Sequence, residues 1–91
     1  MPGALLTPHL RRFFDLPAER IEVEGGTVAE VVRSLDRRWP GLGFYITDEQ
    51  GRLRKHVAVW VDGRRVVDRE GLADPVGADG HVHVLQALSG G

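Results

Sequence analysis

Ninety-one residues make one domain, long enough to bury about 60% of the unfolded surface in a single core and too short for a second. Apolar residues at 42% and charged residues at 27%, without a low-complexity run, describe an ordinary globular domain, and a net charge of −1 argues against nucleic-acid binding driven by bulk charge. The absence of cysteine excludes a disulfide framework, a thiolate zinc site, an iron–sulfur cluster and a cysteine nucleophile, so any sulfur chemistry must use sulfur brought from elsewhere. Basic charge is almost all arginine; Lys55 is the single lysine. The run Ala4-Leu5-Leu6 is too short for a signal-peptide core and is followed, not preceded, by Arg11 and Arg12. A cytoplasmic protein with no membrane attachment is expected.

Residues 4 to 9 and 20 to 24 read as two strands joined by a loop carrying Phe13, Phe14 and Pro17, with the two phenylalanines capping the core. Gly25-Gly26 breaks the second strand. Thr27-Val28-Ala29-Glu30 is a capping box and starts a helix whose Val28, Val31, Val32 and Leu35 recur at core spacing, with Glu30, Arg33, Asp36 and Arg37 on the wet side. Pro40 and Gly41 end it. Residues 42 to 55 form a polar connection anchored by Phe44, Tyr45 and Ile46. His56 to Val61 is a strand, Asp62-Gly63 predicts a type I′ turn, and Arg64 to Val67 returns. After a turn-rich stretch from Leu72 to Gly80, Val82 to Ala87 makes the last strand.

This order predicts an α+β fold, a mixed sheet of four or five strands packed on one helix, with one sheet face left uncovered. If Val57, Val59 and Val61 face the helix, alternation turns Ala58 and Trp60 outward; with Val82 and Val84 inward, His83, Leu85 and Ala87 face outward too. Trp60, Leu85, Ala87 and His83 are therefore candidate docking residues for a partner. The alternative reading places Trp60 in the core beneath the 42–55 connection. His81-x-His83 sets two imidazoles on one strand face, but without a third ligand in view no metal site is assigned.

The last strand runs into Leu88-Ser89-Gly90-Gly91. Residues 1 to 88 make the folded domain and 89 to 91 a flexible tail. Two glycines without Cβ atoms let an extended backbone enter a slot too narrow for side chains, which makes Gly91 the candidate reacting residue, with Gly90 and Ser89 threading it. The bland alternative is a frayed end. Ser89 is a spacer, since no positioned base accompanies it.

The segment Val82 to Gly91, the capping-box helix after Gly25-Gly26, the Val57–Gly63 strand and turn, and Gly71-Leu72-Ala73-Asp74-Pro75 ahead of Asp79-Gly80 together resemble the ubiquitin-like β-grasp sulfur carriers of the MoaD/ThiS type. Within that family the 42–55 connection and Lys55-His56-Val57 are most similar to the carriers of alternative cysteine biosynthesis. Ser89 stands where Ala is frequent, and Gln86 where many relatives have proline. The resemblance implies a β-grasp fold and a carrier, not an enzyme, though it can be the small subunit of a synthase complex. A ubiquitin-activating-like adenylyltransferase would use ATP to adenylate Gly91. A sulfurtransferase or cysteine desulfurase would then supply sulfur to form a thiocarboxylate, and a sulfur-accepting synthase of molybdopterin, thiamine or cysteine biosynthesis would consume it. A JAMM-type metalloprotease is a further implied partner, and no tightly bound cofactor is expected. Two alternatives stand beside this reading: a protein modifier joined to target lysines through Gly91, and a β-grasp interaction domain without conjugation.

Overall fold

The structure, a computed structural model, describes residues 1–17 and 19–86. Its elements in chain order are β1 (Gly3–Leu6), α1 (Pro8–Phe14), β2 (Ile21–Glu22), α2 (Val28–Arg38), α3 (Leu42–Ile46), β3 (Val57–Val61), β4 (Arg64–Arg65) and β5 (His81–Gln86). The five strands form one mixed sheet in the order β2-β1-β5-β3-β4. β5 runs parallel to β1 and antiparallel to β3, so the last described strand occupies the middle of the sheet.

α2 forms as its sequence predicts. Val28, Val31, Val32 and Leu35 are all buried, and Thr27 Oγ1 accepts from Glu30 N at 3.2 Å. Glu30 Oε1 reaches back one residue beyond the N-cap and accepts from Gly26 N at 2.7 Å. Gly25 must be glycine here: its φ is +154°, and a Cβ would stand 2.8 Å from Val31 N. Ser34, buried on the same helix, donates to Glu24 O at 2.7 Å, which ties α2 to the chain leaving β2.

Two helices stand where the sequence reads loops. The first strand stops at Leu6 rather than continuing to residue 9, because Thr7-Pro8 opens α1; proline is suited to a first helical turn, where its missing N–H costs nothing. α1 buries Leu10 alone, and Asp15 in the left-handed region closes it. Phe14 packs partly on the core while Phe13 is 61% exposed, so only one of the expected pair caps the core. The second is α3, at the start of the 42–55 connection. Its i, i+4 pair Leu42 and Ile46 turns inward, Tyr45 is half-buried, and Phe44 is exposed instead of anchoring the segment. Asp36 Oδ1 accepts from both Gly41 N and Gly43 N, joining α2 to α3 across Pro40.

Beyond β3, Asp62 (φ 49°) and Gly63 (φ 83°) both take positive φ, as the predicted two-residue turn requires. The return strand is shorter than expected and ends at Arg65, although Val66 N still donates to Val59 O. The 72–80 stretch then crosses back beneath the entry of α2, where Val28 N donates to Asp74 O and Val76 N to Gly26 O. Leu72 and Val76 bury themselves there.

The core is a sheet wall of Ala4, Leu6, Val57, Val59, Val61, Val82 and Val84 closed by the apolar face of α2. Truncating Leu35 to Ala at its centre is expected to cost about 2–5 kcal/mol, and Thr27→Ala about 1 kcal/mol through the lost cap. Urea unfolding checks both; equal effects would mean that the cap, not burial, sets the stability of α2.

Candidate functional site

Alternation along β3 and β5 decides what the open face of the sheet carries. With Val57, Val59, Val61, Val82 and Val84 turned to the core, the outward positions are Ala58, Trp60, His83 and Leu85. Register sets Trp60 opposite His83 and Ala58 opposite Leu85. Together with Gly63 and His81, Trp60, His83 and Leu85 line a shallow concavity of about 270 Å³. Trp60 is half-buried rather than fully exposed, and it is absent from the residues packed against the core. Its indole Nε1 is buried and has no hydrogen-bond partner among the described residues. Leu85 is 38% exposed. The structure thus brings three of the four sequence-predicted docking residues together; Ala87 lies outside the described residues, as do Leu88, Ser89, Gly90 and Gly91.

One edge of this face is closed by an arginine. Gly3, on β1, has no side chain, and a Cβ there would fall 2.0 Å from Arg20 Nε. Arg20 crosses that gap and donates to the His81 ring, with Nη1 3.0 Å from Nε2. The His81 backbone is fixed as well: its N–H donates to Asp62 Oδ1 at 2.9 Å, and Asp62 N donates to His81 O. His81 is therefore already engaged, and among the described residues no group of three or more metal-ligating side chains assembles.

The opposite end of β5, at Gln86, is the root of the C-terminal segment 87–91, which lies outside the described residues. Gln86 pairs with Val57, so residues 54–56 flank this end of β5 on one side. On the other, Thr7 N donates to Val84 O immediately before α1. Beside the root, Asp48, Arg52, Leu53, Arg54, Lys55, His56, Arg69 and Glu70 line an open cavity of about 510 Å³. Sequence reasoning missed it; the run Arg52-Leu53-Arg54-Lys55-His56 was the available signal, but Arg69 joins only through the fold. The rim is shaped by Asp48, whose carboxylate accepts from Gln50 N and Arg52 N and pairs with Arg52 Nε at 3.2 Å. The Arg52 N–H foremost, opposed by desolvation and helped by the Gln50 N–H and the Arg52 charge, holds the Asp48 carboxyl below its ordinary range. Phe13, Phe14 and Tyr45 form an aromatic cluster with centroids 5.1 to 5.4 Å apart, Phe14 meeting both others edge to face and Phe13 tilted against Tyr45. No helix among the described residues is long and apolar enough to cross a membrane.

The fold and several of its sequence features recur in known proteins. The family model described as the ThiS family matches residues 6–91. The Small archaeal modifier protein 3 of Haloferax volcanii is 34% identical over 68 residues, covering 75% of this chain and 73% of that protein. The Amycolatopsis orientalis BexX/CysO complex contains a chain that superposes with a TM-score of 0.84 at 24% identity, covering 100% of both chains. CysO of Mycobacterium tuberculosis follows with a TM-score of 0.82 at 21% identity, over 97% of this chain and 100% of that one. SAMP1 from Haloferax volcanii gives 0.73 at 20%, over 99% and 98%. These likenesses establish the ubiquitin-like β-grasp.

Because the Asp48 carboxyl titrates lower folded than unfolded, it stabilises the 48–52 turn above the ordinary carboxylate value, and that contribution disappears as pH falls through its folded value. Amide exchange at Gln50 and Arg52 is expected to quicken across that acid window ahead of exchange in β3. Loss of protection in the turn and in β3 at one and the same pH would contradict it.

Proposed function

The chain belongs to the ThiS family of β-grasp sulfur carriers, small proteins that carry rather than catalyse, and from that premise we propose that Gly91 bears the cargo as a C-terminal thiocarboxylate. A carboxylate is a poor electrophile because it already holds a full negative charge, so it must first be activated. An ATP-dependent, ubiquitin-activating-like adenylyltransferase attaches AMP to the Gly91 carboxylate and releases pyrophosphate. The persulfide of a sulfurtransferase or cysteine desulfurase then displaces AMP to give an acyl disulfide, which a thiol reductant cleaves to leave the thiocarboxylate and a new disulfide. The resulting thioacid is ionised near neutrality and polarisable, and it attacks an activated acceptor held by a synthase.

The carrier's own contribution is address and reach. Ser89, Gly90 and Gly91 extend about 3.3–3.6 Å per residue, or about 10 Å past Leu88, into the partner's active site. The partner docks on the open face, where Trp60 supplies an aromatic anchor and His83, Leu85 and Ala87 its surround. The observation that carries this reading is the placement of β5: the strand leading to the diglycine runs between β1 and β3, with Trp60, His83 and Leu85 on its uncovered side. The occurrence of a structural relative in complex with BexX supports a partner enzyme for such a chain. Cysteine biosynthesis, the thiamine and molybdopterin pathways, and cytoplasmic residence all fit this reading. What distinguishes the pathways is which synthase recognises the face, since fold does not fix function.

A second reading draws on the 34% identical relative, whose name is that of a modifier protein. In it the adenylated Gly91 forms an isopeptide bond with a target lysine, and a JAMM-type metalloprotease reverses the bond.

Intact-mass analysis of the protein from its native host separates the two. The carrier reading expects a fraction with sulfur replacing one oxygen and fragmentation that locates it on Gly91; high-mass conjugates without that species would establish the modifier. Deleting Gly90-Gly91 abolishes either activity, and retained function would leave an interaction domain. With the activating enzyme in hand, Trp60→Ala is expected to raise the KM for the carrier by at least about tenfold with kcat retained. An unchanged KM would remove Trp60 from the docking face.

A further inference from the structure

The cavity beside the tail root has a charge that the chain as a whole lacks. Arg52, Arg54, Lys55 and Arg69 face two carboxylates, Asp48 and Glu70, which leaves an excess of two positive charges with His56 neutral, in a protein whose net charge is −1. Two of these cations are set in place by neutral partners. Arg54 Nε donates to Phe44 O at 2.5 Å with its guanidinium 4.5 Å above the Phe44 ring, and Arg69 Nη2 donates to Arg54 O at 2.6 Å. Bonds to carbonyl oxygens and an aromatic face orient a guanidinium without cancelling its charge, and they leave further N–H donors uncommitted. Arg52 alone of the four spends its charge on a carboxylate, Asp48. Lys55 is exposed.

Position gives the excess a purpose. Lys55 lies two residues before Val57, and Val57 is the register partner of Gln86, the last described residue before the C-terminal segment. The Lys55 and His56 side of the cavity therefore flanks the Gln86 end of β5. At about 510 Å³ and open to solvent, it admits several side chains and is larger than a single small anion needs. We propose that this cationic cavity is a second docking element, which receives an acidic segment, at least two Asp or Glu side chains, from the enzyme that takes the tail. The proposal rests on the carrier reading above and extends it: the open sheet face supplies apolar contact, and the cavity supplies orientation and an electrostatically accelerated encounter.

The test uses the whole chain with its host's activating adenylyltransferase and sulfide to turn over the adenylate, following pyrophosphate release against carrier concentration. Lys55→Glu is expected to raise KM about tenfold at low ionic strength with kcat unchanged, with the effect shrinking as salt is added. Lys55→Arg should behave as the wild type. Arg33→Glu, on the outer face of α2, makes the same change in net charge far from the tail and should leave KM unaltered. A wild-type KM for Lys55→Glu, in an assay where Trp60→Ala raises it, would overturn the proposal while leaving the carrier reading intact. So would an equal rise for Arg33→Glu, which would assign the effect to net charge. No pyrophosphate release with the wild-type chain would instead overturn the carrier reading, and this proposal with it.

Discussion

The whole arrangement depends on one register, that of β5 between β1 and β3. Parallel pairing of Leu6 with Val84 and antiparallel pairing of Val59 with the same residue place Val82 and Val84 over α2, and they place His83 and Leu85 on the other side. A slip of one residue would exchange the two sets, bury a histidine and expose the centre of the core. The register is pinned at both ends. Asp62 and His81 exchange two hydrogen bonds at the start of β5, Gly3 N donates to Gly80 O beside them, and Thr7 N donates to Val84 O near the other end. Core and open face are thus two products of a single pairing.

What could be read from the sequence was whatever its own neighbours determine. The cap at Thr27 and Glu30, the Asp62-Gly63 turn, the helix stripe from Val28 to Leu35 and the alternation of β3 and β5 each lie within a few residues of chain. α1 and α3 escaped because seven and five residues supply one and three buried positions, one of the three a glycine, too few apolar side chains for a period to show. The order of the sheet and the cationic cavity escaped for a different reason. Arg69 reaches Arg54 across fifteen positions of sequence, held there because Leu53 N donates to Arg69 O. Trp60 lay between: alternation gave its side of the sheet, but its half-burial follows from its neighbours on β5.

Arginine serves this fold as a strap. Arg38 donates to Glu22 O, Arg54 to Phe44 O and Arg69 to Arg54 O. Each ties two segments together through a neutral oxygen, so the long side chain adds cohesion while its charge stays unspent. Surface ion pairs contribute little to stability in any case. A chain with near-zero net charge can in this way hold a locally positive region, because structure, not composition, decides which charges are cancelled.

The central place of β5 also has a mechanical consequence. Force applied beyond Gln86 runs along a strand bonded on both flanks, to β1 and to β3, and loads those hydrogen bonds in shear, so that they must yield together instead of one at a time. An edge strand pulled the same way could peel. A pull along the axis of β5 is therefore resisted by both neighbouring strands at once.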